Sequence, residues 1–159
     1  LGANQSGKAA LAAWRDMVVP LLEETDTGAL AVWPFQGAFR GLLAPGRVVL
    51  AETYPAEAMR HLGIPTAGSK RRQSDRAAVA PMLRDAMARL RVVASAELAA
   101  EVQDGFGPTP SGEDRFDCVL GVLCTINVLA GHRPDTAPDD PWLHRWEGWV
   151  LGQTASPKW

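Results

Sequence analysis

Arg47-Val48-Val49-Leu50-Ala51-Glu52-Thr53, followed by Tyr54-Pro55, decides how this chain is read. Val48 to Ala51 form a short apolar run that ends in a carboxylate and a hydroxyl, and such a run between turn signals reads as a buried strand. Pro45-Gly46 punctuates the chain before it. Pro55 opens a helix to about Leu62, because proline suits a first helical position. Working outward, Ala29 to Phe35 reads as a second short buried strand and Phe39 to Ala44 as a brief helix. Upstream, Gly7 to Glu24 is an amphipathic helix with Leu11, Trp14, Val18 and Leu21/Leu22 at helical spacing, bent or interrupted at Pro20. Thr25 to Gly28 is a turn. Downstream, Gly63 to Ser74 is a loop, and Ser74 caps a long helix to about Leu90, bent or interrupted at Pro81. Arg91 to Ala94 reads as a short strand, Glu97 to Asp104 as a helix and Gly105 to Gly112 as a loop. Glu113 to Ala130 is a strong helix, and Asp140 to Leu151 a shorter last one. Strands alternating with helices predict an α/β layer with a mostly parallel sheet.

The 159 residues fit one domain, with 47% apolar and 21% charged side chains, a globular balance. The longest apolar stretch, Cys118 to Gly131, has 14 residues and includes Thr125 and Asn127. A bilayer crossing needs about 20, so no membrane span is expected. The chain starts at Leu1 rather than Met, and two or three strands make an incomplete sheet. It therefore reads as the later part of a longer domain whose first strands are absent. The two cysteines, Cys118 and Cys124, lie about 9 Å apart along one helix axis and on different faces, so they do not pair. With no signal peptide, this usage predicts a reducing, cytoplasmic setting. His61, His132 and His144 show no ligand spacing and read as surface or cap residues.

The net charge of −2 hides an asymmetry. Arg60, Lys70, Arg71, Arg72, Arg76, Arg84, Arg89 and Arg91 face only Asp75 and Asp85, a local +6 against −8 elsewhere. A basic stretch in an acidic chain suits a phosphate-tracking surface; the plain alternative is a solvated helix face and loop. Gly2-Ala3-Asn4-Gln5-Ser6-Gly7-Lys8-Ala9 nearly spells a phosphate-binding loop. Ala9 stands where a Mg²⁺-binding hydroxyl belongs, however, so a glycine-containing loop is the better reading.

Glu52 stands at the carboxyl end of its strand, where open parallel sheets place ligand sites. Asp114 and Asp117, three apart, share one helix face. Such acids hold Mg²⁺ or Mn²⁺ through hard oxygen ligands, and a pair of these ions activates water against a phosphodiester. The structural alternative is a capping box, Ser111-Gly112-Glu113-Asp114, that makes Asp114 a helix start. Trp142, Trp146 and Trp149 recur at i, i+4, i+7 and are read as a face docked on the core. Glu147 is either a rim carboxylate or a partner for Arg60 or another arginine.

Five segments together carry a resemblance: Val32-Trp33-Pro34-Phe35, Ala51-Glu52-Thr53-Tyr54-Pro55, Gly68-Ser69-Lys70-Arg71-Arg72-Gln73, Gly112-Glu113-Asp114-Arg115-Phe116-Asp117 and Glu147-Gly148-Trp149. In this order they resemble the family catalogued as domain of unknown function 429, described as predicted RNase-H-like nucleases. The resemblance implies an RNase-H-like fold with a metal site on Glu52 and Asp117 and Asp114 as the further acid. The family's first strand, with its opening aspartate, has no counterpart here, nor does a later Asp-x-Pro strand. Cys118 stands where alanine usually follows the last acid. The implied function is metal-dependent hydrolysis of nucleic acid by the full-length parent rather than by this piece alone. For that function the basic stretch predicts that Lys70, Arg71, Arg72 and Arg76 contact phosphates as positioning charges rather than base readers. The competing expectations are a non-catalytic binding or scaffold domain with the same fold and, more distantly, a nucleotide binder using Lys8. The discriminating quantity is whether the carboxyls of Glu52, Asp114 and Asp117 converge.

Overall fold

The computed structural model describes residues 8, 10–24, 28–66 and 68–154. Of the near phosphate loop, only Lys8 falls among them; Gly2 to Gly7 and Ala9 lie outside, as do residues 25–27 of the expected turn. The first helical stretch passes from a π-helical turn, Trp14–Val18, into α1, Val19–Glu24. The switch coincides with Pro20, which has no N–H for the i→i−4 ladder.

Two strands, β1 (Leu30–Val32) and β2 (Val48–Leu50), pair in parallel with Leu30 opposite Val48 and Val32 opposite Leu50. The chain is mixed α/β with a two-stranded parallel sheet, α2 (Phe39–Leu42) lying in the crossover. Both strands are shorter than expected. β1 gives way to a turn at Trp33-Pro34, where proline offers no donor. Beyond Leu50 the chain stays extended at Tyr54, and the Glu52 carbonyl accepts from Leu151 N–H at 2.9 Å instead of from a strand. β1 is buried along its length, whereas Val48 of β2 is 59% exposed. The expectation that β2 is apolar because it is buried holds only in part.

Helix α3 (Pro55–Leu62) starts on its proline and stops at Gly63, whose φ of 72° closes the last turn. The long helix expected after Ser74 is two helices, α4 (Gln73–Ala78) and α5 (Ala80–Arg89). The break falls at Val79 because Pro81 cannot donate to the Ala77 carbonyl, so the chain restarts there. Ser74 is not the cap; Arg72 holds that position without a side-chain bond. Arg91 to Ala94 is no strand: Arg91 has φ 58° and Val92 N–H returns to the Met87 carbonyl, closing α5. Ser95 caps α6 (Ala96–Asp104) by accepting from Leu98 N–H at 3.2 Å.

Helix α7 (Pro110–Leu129) is the spine of the molecule, about 30 Å long. Phe116, Leu120, Leu123, Cys124, Asn127 and Val128 fall at helical spacing along its buried stripe. Its first part sits in one apolar cluster with α3, α5 and α6. Val128 enters a second cluster with Ala31, Trp33, Phe39, Leu42, Leu143, Trp149 and Leu151. Burying each large side chain of the stripe contributes roughly 1.5–3 kcal/mol. A final π-helical turn, Leu143–Glu147, ends at Gly148 with φ 75°. Among the described residues no helix is long and apolar enough to cross a membrane.

Candidate functional site

Phe116 is buried against Phe106, edge to face, and pins that turn of α7 to the first apolar cluster. The next residue, Asp117, is therefore held half in and half out of the protein. Opposite it, the loop between α3 and α4 is shaped by Asp75. That carboxylate accepts from Ser69 N–H at 2.7 Å and from Arg72 Nε at 2.8 Å, and both bonds hold it below the usual carboxylate range. Gly68 makes the turn possible: its φ is +92°, and a Cβ there would stand 2.8 Å from Asp75 Oδ2. The loop so formed carries Lys70 across to α7. Its ammonium donates to Asp117 Oδ2 and stands 3.6 Å from Glu113 Oε1. Burial lifts the Asp117 carboxyl above its ordinary value despite the opposing pull of Lys70, and Glu113 and Asp114 lift it further. Its second oxygen, Oδ1, is buried without a hydrogen-bond partner.

Glu52 is on the other side. Ala51, Thr53 and Pro55 line a shallow hollow with Asp117 and Gly121, while Glu52 lines a separate cleft with Trp33, Glu147 and Trp149. Successive residues of an extended backbone face opposite ways, so Thr53, not Glu52, meets α7. The approach is close enough that a Cβ on Gly121 would lie 2.9 Å from Thr53 Oγ1. Asp114 is exposed on α7 and forms no ion pair among the described residues. Among those residues, no group of three or more His, Cys, Asp or Glu side chains is placed to hold a metal ion. Glu52 and Asp117 thus line different hollows, and a lysine ammonium occupies the oxygen of Asp117 that faces the loop. Compared with protein-family models, curated proteins and solved structures, the chain matches none.

The four basic residues expected on phosphates part company. Arg71 is exposed, with no ion pair among the described residues. Arg72 is exposed and shared with Asp75, and Lys70 is committed to the acids of α7. Arg76 is buried, 2% exposed. Its guanidinium donates to the carbonyls of Gly105 at 2.8 Å, Lys70 at 2.5 Å and Gly107 at 2.5 Å. It ties the basic loop to the end of α6 and the start of α7 and presents nothing to solvent. The fork geometry that suits arginine to phosphate suits it equally to three carbonyls, which composition does not distinguish.

The capping box is absent: α7 begins at Pro110, and the Ser111 hydroxyl, inside the first turn, meets Thr109 Oγ1 at 2.8 Å instead of a backbone N–H. The tryptophan face also differs from expectation. Trp142 and Trp146 are each 63% exposed and only Trp149 is buried. The π-turn changes the phase of side chains, and Gly148 ends it before Trp149, so the three rings cannot share an α-helical face. Trp142 and Trp146 touch each other at 6.3 Å, and the Arg145 guanidinium lies 4.9 Å from the Trp146 ring centre. Glu147 stands at the rim of the Glu52 cleft, while Arg60 pairs with Glu57. Cys118 is exposed and Cys124 buried, on different faces as expected. His61 is not a surface residue; its side chain is fully buried. Sequence reasoning passed over Asp75 and Glu113 as partners. Their signals were present, three residues after Arg72 and four before Asp117, both within one helical turn.

Proposed function

We propose that this chain is a non-catalytic binding domain of RNase-H-like type, contacting nucleic-acid phosphates through Arg71 and Arg72. The observation that carries the reading is Lys70, whose ammonium joins Asp117 and Glu113 while Glu52 opens into a different cleft. An ion pair between half-buried groups makes a structural link of the acid that a hydrolase would keep free for metal. Two exposed guanidiniums on a loop braced by Asp75 and Arg76 suit backbone contact without base readout.

The test uses the full chain with fluorescent single- and double-stranded DNA and RNA, with and without Mg²⁺ or Mn²⁺. The expected result is salt-dependent binding and no cleavage. The double variant Arg71→Ala/Arg72→Ala is expected to lower the slope of log affinity against log salt by about 0.9 per lost contact on duplex DNA. Unchanged binding by that variant overturns the assignment of the loop.

A second reading, metal-dependent phosphodiester hydrolysis by a longer parent using Glu52, Asp114 and Asp117, is favoured by the buried, partnerless oxygen of Asp117. It requires Lys70 to leave Asp117 and Glu52 to change sides. Metal-stimulated cleavage that Asp117→Asn abolishes would establish it over the first.

A further inference from the structure

The cleft beside Glu52 is walled by aromatic rings and has a volume of about 590 Å³, within the range of small-molecule sites. Trp33, Phe35, Trp146 and Trp149 line it together with Glu52 and Glu147, and among the described residues no lysine, arginine or histidine lines it. Neither carboxylate forms an ion pair among the described residues. The walls are held in place before any ligand arrives. Trp33 Nε1 donates to the Asp135 carbonyl at 3.0 Å and Trp149 Nε1 to the Gln153 carbonyl at 3.1 Å. Phe35 packs over Gly148, where a Cβ would come within 3.4 Å of its ring.

Aromatic faces carry negative potential and attract cations, most strongly when alkyl substituents on the cation also give up contact with water. Two carboxylates without an ion pair among the described residues add to that field, and no basic side chain among the described residues lines the cleft. Trp146 already shows the preference, with Arg145 over one of its faces. That guanidinium opposes a second cation nearby, but two carboxylates outweigh it. We propose that this cleft binds a small organic cation of the alkylammonium class, Glu52 and Glu147 supplying the charge and the aromatic rings the walls. The site is separate from the Arg71/Arg72 loop, so its failure leaves the nucleic-acid reading untouched.

The probe is choline, titrated calorimetrically into the full chain and compared with its neutral isostere 3,3-dimethylbutan-1-ol. Saturable choline binding is expected, with none from the isostere over the same range. Trp146→Ala, at an exposed ring that the core does not need, is expected to weaken choline by about five-fold, the worth of one cation–aromatic contact. Glu147→Gln and Glu52→Gln are expected to weaken it by roughly as much each, with near-ultraviolet circular dichroism unchanged. Equal binding of the isostere, no saturation with choline, or full affinity in both glutamine variants each overturns the proposal.

Discussion

His61 shows how far a side chain's surroundings move its chemistry. Burial, then the charges of Arg133 and Arg60, push its imidazole down to about 4, against the weaker pull of Glu57. Its Nδ1 has no partner, and Nε2 lies 3.5 Å from Glu57 and 3.1 Å from Arg60. The folded chain therefore keeps this ring neutral where the unfolded chain would protonate it. Between the ordinary value of 6.5 and about 4 the unfolded state binds the extra proton, so stability is full above that window and falls as pH drops through it. The loss is expected to reach up to about 3 kcal/mol at most and to level off below the window. Urea unfolding from pH 7.5 to 4 is expected to show this slope in the native chain and a flatter one in His61→Gln. Parallel curves would contradict it. Nothing in the sequence around His61 marked it as buried, because its walls come from Arg133 and Gly152, distant in the chain.

Among the elements, α7 and its entry carry most of the organisation. Its apolar period was legible because Phe116, Leu120, Leu123 and Val128 repeat at helical spacing, and α3 because Pro55 and Gly63 bracket it. Its start was not, since Thr109 and Pro110 outcompete the Ser111 box, and a box is only a local pattern. The split at Val79 was half legible: proline announced an interruption, but its site depends on which carbonyl loses a donor. Gly112 explains why α7 enters where it does. A Cβ there would meet the Phe106 carbonyl at 2.5 Å and the Gly107 carbonyl at 2.8 Å, both backbone atoms, with Arg76 at 2.7 Å. Gly→Ala within a helix ordinarily stabilises by roughly 0.5–1 kcal/mol. Gly112→Ala is expected to reverse that sign and cost about 1–3 kcal/mol through forced backbone shifts. Gly41→Ala in α2, with open space around it, is expected to follow the ordinary rule. Urea midpoints of the two variants decide; a stabilised Gly112→Ala would refute the close entry.

For the whole molecule, the chain is organised around α7 joining two apolar clusters, with the parallel pair β1–β2 in one and the basic loop braced on the other. The mixed α/β class was legible from the alternation of apolar runs and helical patterns. Glu52, Asp114 and Asp117 were legible as candidates, but where the fold puts each of them was not. Glu52 and Asp117 come from segments far apart in the chain, and the facing of one extended residue sends Glu52 to the opposite side. Charge counting likewise saw Arg76 as surface, because composition does not report which arginine a fold needs for its own carbonyls. The central claim is that Asp117 is the ion-pair partner of Lys70 rather than a metal ligand. Thermal unfolding with increasing Mn²⁺ tests it most directly, since any ion bound by the folded state alone raises the melting temperature with concentration. The account predicts that the native chain and Asp117→Asn respond alike, with no saturable rise up to about 10 mM Mn²⁺. A rise in the native chain that Asp117→Asn removes would contradict it.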